Sequence, residues 1–177
     1  MTEFGREYGE GLYALCAEEG IAQPVLEEMK CLSEAFRQNP DLTRLLSNMT
    51  LSKQERVGIV DQFFRGQVNP YVLNFLKILV ERGGIFAFRE CVKAYQENYN
   101  RDHQVLEAEV TTARPLDGDQ RERLMGKLRQ MTGKEVILRE KVDETVMGGV
   151  LLQMDGKRYD NTVRHRLDAI RQAMLGE

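Results

Sequence analysis

The hydrophobic period of this chain changes near residue 104, from helical spacing to strict alternation, and this switch limits the possible folds more than any other feature. Before it, apolar residues recur three or four apart: Val25, Met29, Leu32 and Phe36, then Val57, Val60, Phe63 and Phe64, then Ile85, Phe88, Val92, Tyr95 and Tyr99. Each such run lies between start and stop signals. Gly20, Gly66 and Gly83-Gly84 end helices, Ser52-Lys53-Gln54-Glu55 is a capping box, and Asn39-Pro40 and Asn69-Pro70 each place a cap before a proline at the first helical position. After the switch, Leu106, Ala108 and Val110 alternate with Glu107, Glu109 and Thr111, as a half-buried strand requires. Asp117 to Gln120 then opens a helix through Leu124, Leu128 and Met131, closed by Gly133. Strands follow at Glu135 to Val142 and Val150 to Met154, and Asp155-Gly156 signals a hairpin into Lys157-Arg158-Tyr159. A last helix carries Val163, Leu167, Ile170 and Met174. The predicted fold is α plus small α/β: a six-helix bundle over residues 1–104, then a β-α-β-β-β-α domain over 105–177.

Composition narrows the function. With 25 basic and 28 acidic residues the net charge is −3 and the pI 5.6, which disfavours nucleic acid and anionic membranes as direct partners. Residues 1–104 hold 12 basic and 15 acidic side chains and residues 105–177 hold 13 of each, so the net charge belongs to the helical part. Cys16, Cys31 and Cys91 are far apart with no CxxC, which fits a reducing compartment and neither a disulfide framework nor a zinc site. The start, MTEFGREYGE, lacks an apolar signal core, and the longest apolar or glycine run, Val146 to Leu152, is far short of a membrane span. A soluble, unexported protein that meets a membrane only through partners is expected.

Catalytic constellations are missing. Gly126-Lys127 and Gly133-Lys134 lack the rest of a phosphate loop, and no GxSxG or GxGxxG occurs. With two histidines, His103 and His165, metal triads and nucleophile–base pairs lack parts. Asp143, Asp160 and His165 are the residues a small enzyme would have to use, and five residues separate Asp160 from His165, too far round a helix to pair. No catalytic residue, cofactor or metal is expected. Most of the eight methionines lie at core-like spacing.

Two helices carry more apolar surface than one core face needs. Tyr71 to Glu81 has Val72, Leu76 and Leu79 on one stripe and Tyr71, Phe75 and Ile78 on another, so it is either a central core helix or one wall of a partner groove. The first helix has Phe4, Tyr8, Gly11 and Leu15 on one stripe and Gly5, Gly9, Leu12 and Cys16 on the other. Its glycines cost roughly 1 kcal/mol each against alanine, and close approach of another backbone is a reason to keep them.

Several motifs resemble the delta subunit of F-type ATP synthase, the bacterial counterpart of the mitochondrial oligomycin-sensitivity subunit. In the first half these are Arg6-Glu7-Tyr8, Leu12 to Leu15, Asn39-Pro40-Asp41-Leu42, Leu51 to Glu55 and Leu79 to Gly83. The second half adds Ala113-Arg114-Pro115-Leu116, Gly133-Lys134, Val142 to Val150, Asp160 to Val163, and Leu167. The resemblance spans essentially the whole chain. It implies a non-catalytic stator subunit whose helical domain receives the N-terminal helices of alpha subunits in a groove between its first and fifth helices. The C-terminal domain would grip the ends of the b subunits. Carried over by position, Tyr8, Gly11, Leu15, Phe75 and Ile78 are the expected groove residues, and Asp143, Gly148, Gly149 and Asp160 are structural motif residues. A single copy per complex is implied, at the cytoplasmic face of the plasma membrane. Gly9 and Gly11 stand where the family usually has alanine, and Thr162 where serine is common. The competing reading is a cytoplasmic helical adaptor or RNA-binding module, against which the acidic pI and the lack of a basic stripe both count.

Overall fold

Capping chemistry sets most element boundaries in the computed structural model, which describes residues 2–154 and 156–167. The order is α1 (Glu3–Glu18), α2 (Ala22–Gln38), α3 (Pro40–Leu46), α4 (Lys53–Phe64), α5 (Pro70–Glu81), a 3-10 turn (Ile85–Ala87) and α6 (Phe88–Asp102). It continues with β1 (Val105–Thr112), α7 (Gly118–Thr132), β2 (Glu135–Val142), a second 3-10 turn (Glu144–Val146), β3 (Gly149–Met154) and β4 (Lys157–Thr162). Ser52 with Glu55, and Asp117 with Gln120, form reciprocal capping boxes that satisfy orphan N–H groups at the starts of α4 and α7. Asn69 Oδ1 accepts from Tyr71 N at 3.0 Å. Asn39 departs from the expected cap: its Nδ2 donates back to Ala35 O at 3.0 Å, because α2 runs up to Gln38 and leaves carbonyls to satisfy. Ile85 sits in the 3-10 turn and not in the helix that follows. Residues 163–167 are helical, and His165 N donates to Thr162 Oγ1 at 3.1 Å, so Thr162 caps that start. The expected continuation through Ile170 and Met174 lies outside the described residues, as does Asp155 of the expected hairpin turn.

The chain divides into two compact units between Arg101 and Asp102. In the first, one core gathers residues from α1, α2, α4, α5 and α6, among them Leu12, Met29, Val60, Leu76 and Tyr95. Tyr95 is wholly buried; its hydroxyl donates to Ala22 O at 2.9 Å and its ring meets Tyr13 edge-on at 5.3 Å. Burial pushes the Tyr95 hydroxyl and the Cys16 thiol above their ordinary pKa values, and the Cys91 thiol up to about 12, so both cysteines are inert packing groups. Core-like methionine spacing holds in part. Met29 is buried, Met154 packs on the core of the second unit and Met125 is half-buried, whereas Met131 near the end of α7 and Met49 and Met147 in turns are largely exposed.

The second unit is a four-stranded sheet in the order β2-β1-β3-β4 with α7 as the crossover between parallel β1 and β2. Leu124 and Leu128 of α7 pack on Leu106, Ala108 and Val136. The opposite face is charged, with Glu107 paired to Arg139 at 3.2 Å.

The glycines of α1 divide by function. A Cβ on Gly9 would sit on the Cys91 carbonyl oxygen and 2.8 Å from Ala94 Cβ, and one on Gly5 would lie 2.7 Å from Glu90 Cβ, so both let α1 lie against α6. Gly11 has open space around it. Gly9→Ala is therefore expected to destabilise the protein by about 1–3 kcal/mol, and Gly11→Ala to stabilise it by about 0.5–1 kcal/mol. Denaturant unfolding of the two variants, which differ only in where a methyl group is added, checks this.

Candidate partner-binding surfaces

The placement of α1 fixes what the first surface presents. With Gly5, Gly9, Leu12 and Cys16 buried, the stripe of Phe4, Tyr8, Gly11 and Leu15 turns outward. Phe4 and Tyr8 are half-buried and stack at 4.2 Å, Gly11 is exposed, and Leu15 is 44% exposed. On α5, which touches α1, Val72, Leu76, Leu79 and Val80 are buried. Phe75 joins them at 5% exposure and meets Phe88 at 6.4 Å, so it is a core residue in this structure and not a groove lining; Ile78 remains 37% exposed. Of the five expected groove positions, Leu15 and Ile78 present accessible apolar side chains, Tyr8 a half-buried ring, Gly11 bare backbone and Phe75 nothing.

Two residues that sequence patterning passed over shape this surface. A Cβ on Gly84 would fall on the Phe4 ring, so Gly84 makes room for Phe4 beside the end of α5. Gly83 alone, at φ 70°, suffices to stop the helix, and the doubled glycine was the available signal. The second is Glu90 at the start of α6. Its Oε2 accepts from Thr2 N at 2.6 Å and Thr2 Oγ1 at 2.5 Å, while Thr2 Oγ1 in turn accepts from Gly5 N at 3.2 Å. This clasp ties the first turn of α1 to α6. On the other side of α5, Lys77 bonds Asp61 of α4, which also pairs with Arg65.

At the second unit the motif residues build turns. Asp143 Oδ1 accepts from Thr145 N at 2.9 Å, and Asp160 Oδ1 from Thr162 N at 3.1 Å. Both carboxyls are held below their ordinary pKa, first by the threonine hydroxyls and then by the backbone N–H groups. Gly148 and Gly149 adopt φ of 141° and 82°, and a Cβ on Gly149 would lie 2.9 Å from Thr162 Cα. That places β3 tightly against the end of β4. Beside these glycines runs a cleft of about 710 Å³ between α7 and the segment that follows β1.

Among the described residues no cluster of histidine, cysteine and carboxylate side chains could hold a metal, and no helix is long and apolar enough to cross a membrane. The arrangement defines a protein of contact surfaces: exposed apolar positions on two docked helices in one unit, and a cleft beside strained glycine turns in the other. The chain belongs to the ATP synthase delta (OSCP) subunit family, whose model matches residues 5–174. It is 31% identical over 170 residues to the ATP synthase subunit delta of Alkaliphilus metalliredigens (strain QYMF), covering 96% of this chain and 94% of the relative. It is 29% identical over 174 residues to that of Lactobacillus gasseri, covering 98% and 95%. Its fold is similar to a chain in the cryo-EM structure of the Toxoplasma gondii mitochondrial ATP synthase hexamer, with TM-score 0.74 and 20% identity over 99% of this chain and 98% of that one. The family is that of the non-catalytic stator subunit of the F-type ATP synthase peripheral stalk.

Two outcomes follow from this geometry. Because Thr2 holds the Glu90 carboxyl below its ordinary pKa, the clasp's stability is present above the unfolded value of about 4.3 and is lost as the pH falls through and below it. Hydrogen exchange at the first turns of α1 should therefore gain protection as the pH rises towards the unfolded value of about 4.3 and level off above it, and Glu90→Gln should abolish that pH step. Gly149→Ala should cost more than about 1 kcal/mol, since it adds both positive-φ strain and a clash, and thermal unfolding of the variant measures it.

Proposed function

We propose that this chain ties the catalytic head of the ATP synthase to its peripheral stalk, so that the head resists rotor torque during proton-driven ATP synthesis. In this reading α1–α6 act as one six-helix bundle that receives the amphipathic N-terminal helices of alpha subunits along α1 and α5. The C-terminal domain holds the ends of the b subunits. One copy serves each complex, at the cytoplasmic face of the plasma membrane. A clamp of this kind needs slow dissociation, which comes from buried apolar anchors more than from rim charge.

The observation that carries the reading is that α1 and α5 are in contact and each keeps a large aliphatic side chain exposed, Leu15 and Ile78, although the core they serve is already closed by Leu12, Cys16, Leu76 and Leu79. Exposed aliphatics on adjoining helices suit the apolar face of an incoming helix.

Ile78→Asp should lower the affinity for a peptide of the alpha-subunit N-terminus by about 2 kcal/mol or more and leave the helical circular dichroism unchanged. Unaltered affinity in a folded variant would remove Ile78 from the groove. Phe75→Ala should behave differently, losing about 3–5 kcal/mol of stability as a core truncation.

A further inference from the structure

The cleft beside Gly148 and Gly149 has a distinctive charge balance. Arg114, Arg123 and Lys127 line it together with Leu116, Leu124 and Met147, and the one carboxylate in its wall, Asp117, already caps α7 by accepting from Gln120 N at 2.7 Å. Among the described residues, none of the three cationic side chains has a hydrogen-bond or ion-pair partner. This contrasts with Arg121 on the same helix, whose Nε reaches Glu140 Oε1 of β2 at 2.5 Å. The side of α7 toward β2 is thus neutralised within the fold, whereas the side lining the cleft keeps its charge. Met147 is 72% exposed over this charged rim, held in the left-handed region at φ 60° by the turn.

We propose that this cleft seats an acidic amphipathic helix, with carboxylates meeting Arg114, Arg123 and Lys127 and apolar side chains covering Leu116, Leu124 and Met147. Charge complementarity selects the partner: three unpaired cations over an apolar floor oppose a basic or neutral segment and favour an acidic one with an apolar face. A cleft of about 710 Å³ is large enough for the side chains of one or two helical turns. The inference rests on the reading that the C-terminal domain holds the stalk, and it names the surface used and the chemistry of the stalk end that fits it.

The test uses the full chain and a fluorescently labelled soluble fragment of the b subunit, followed by anisotropy over a range of salt. Arg123→Glu with Lys127→Glu should weaken binding by about tenfold or more and flatten its salt dependence. Met147→Asp should also weaken it, and aspartate tolerates positive φ, so that variant keeps the turn. Lys157→Glu, outside the cleft, should leave affinity within about twofold. If the fragment binds the double variant and Met147→Asp as it binds the unaltered chain, the cleft assignment is overturned while the stalk reading stands. If the unaltered chain does not bind the fragment at all, the stalk reading fails and the cleft assignment with it. A dimer of the chain that the double charge reversal dissociates gives the cleft to a second copy and overturns the proposal.

Discussion

The approach of α1 to the backbone of α6 is the contact on which the helical unit depends. Gly9 lies against the Cys91 carbonyl and Gly5 against Glu90, so α1 rolls until its small-residue stripe faces inward. Its partly apolar second stripe then has nowhere to go but the surface. The weakness of a glycine-rich helix and the exposure of Leu15 have one cause. The Thr2–Glu90 clasp answers that weakness at the end of the helix where fraying begins, adding charge-assisted bonds where helix propensity is lowest.

In the second unit a comparable role falls to backbone conformations that side chains disfavour. Met147, Gly148 and Gly149 all take positive φ, and Gly149 lies against Asn161 and Thr162 of β4. Two aspartate turns, at Asp143 and Asp160, hold the chain on either side of this strand entry. Several carboxylates near the sheet are committed to such structural work: Asp117 to a cap, Glu140 to Arg121, Glu107 to Arg139. Residues 105–177 hold 13 acids and 13 bases yet present a cationic cleft, because the one carboxylate in its wall, Asp117, is engaged in a cap while Arg114, Arg123 and Lys127 are not paired among the described residues.

Helix and strand identity was legible because periodicity reports which face is buried, and the period switch separated the two halves at once. Capping boxes at Ser52 and Asp117 were equally plain, since both partners lie within one turn. What stayed hidden depended on contacts distant in sequence. Asn39 read as a cap because Pro40 follows it, yet the end of α2 claims its side chain. Phe75 belongs by spacing to an outward stripe, but Phe88, thirteen residues on, encloses it. Gly84 reads with Gly83 as a helix stop, yet the Phe4 ring of α1 occupies the space of its missing side chain. The tertiary partner decided these cases, and a one-dimensional pattern does not contain it.

The two surfaces also differ in physical character, which bears on how the proposed clamp would hold two unlike partners. The α1–α5 surface offers aliphatic groups on a unit of net negative charge, so it discriminates by shape and apolar burial and responds weakly to salt. The cleft in the second unit offers unpaired cations around a small apolar floor, so it discriminates by charge and responds strongly to salt. A segment suited to one is poorly suited to the other: an acidic helix meets like charge at the helical unit, and a basic or neutral amphipathic helix leaves the cationic rim unpaired. In the proposed clamp, distinct recognition chemistry on the two units keeps the partners from exchanging places, without either site having to be exceptionally tight.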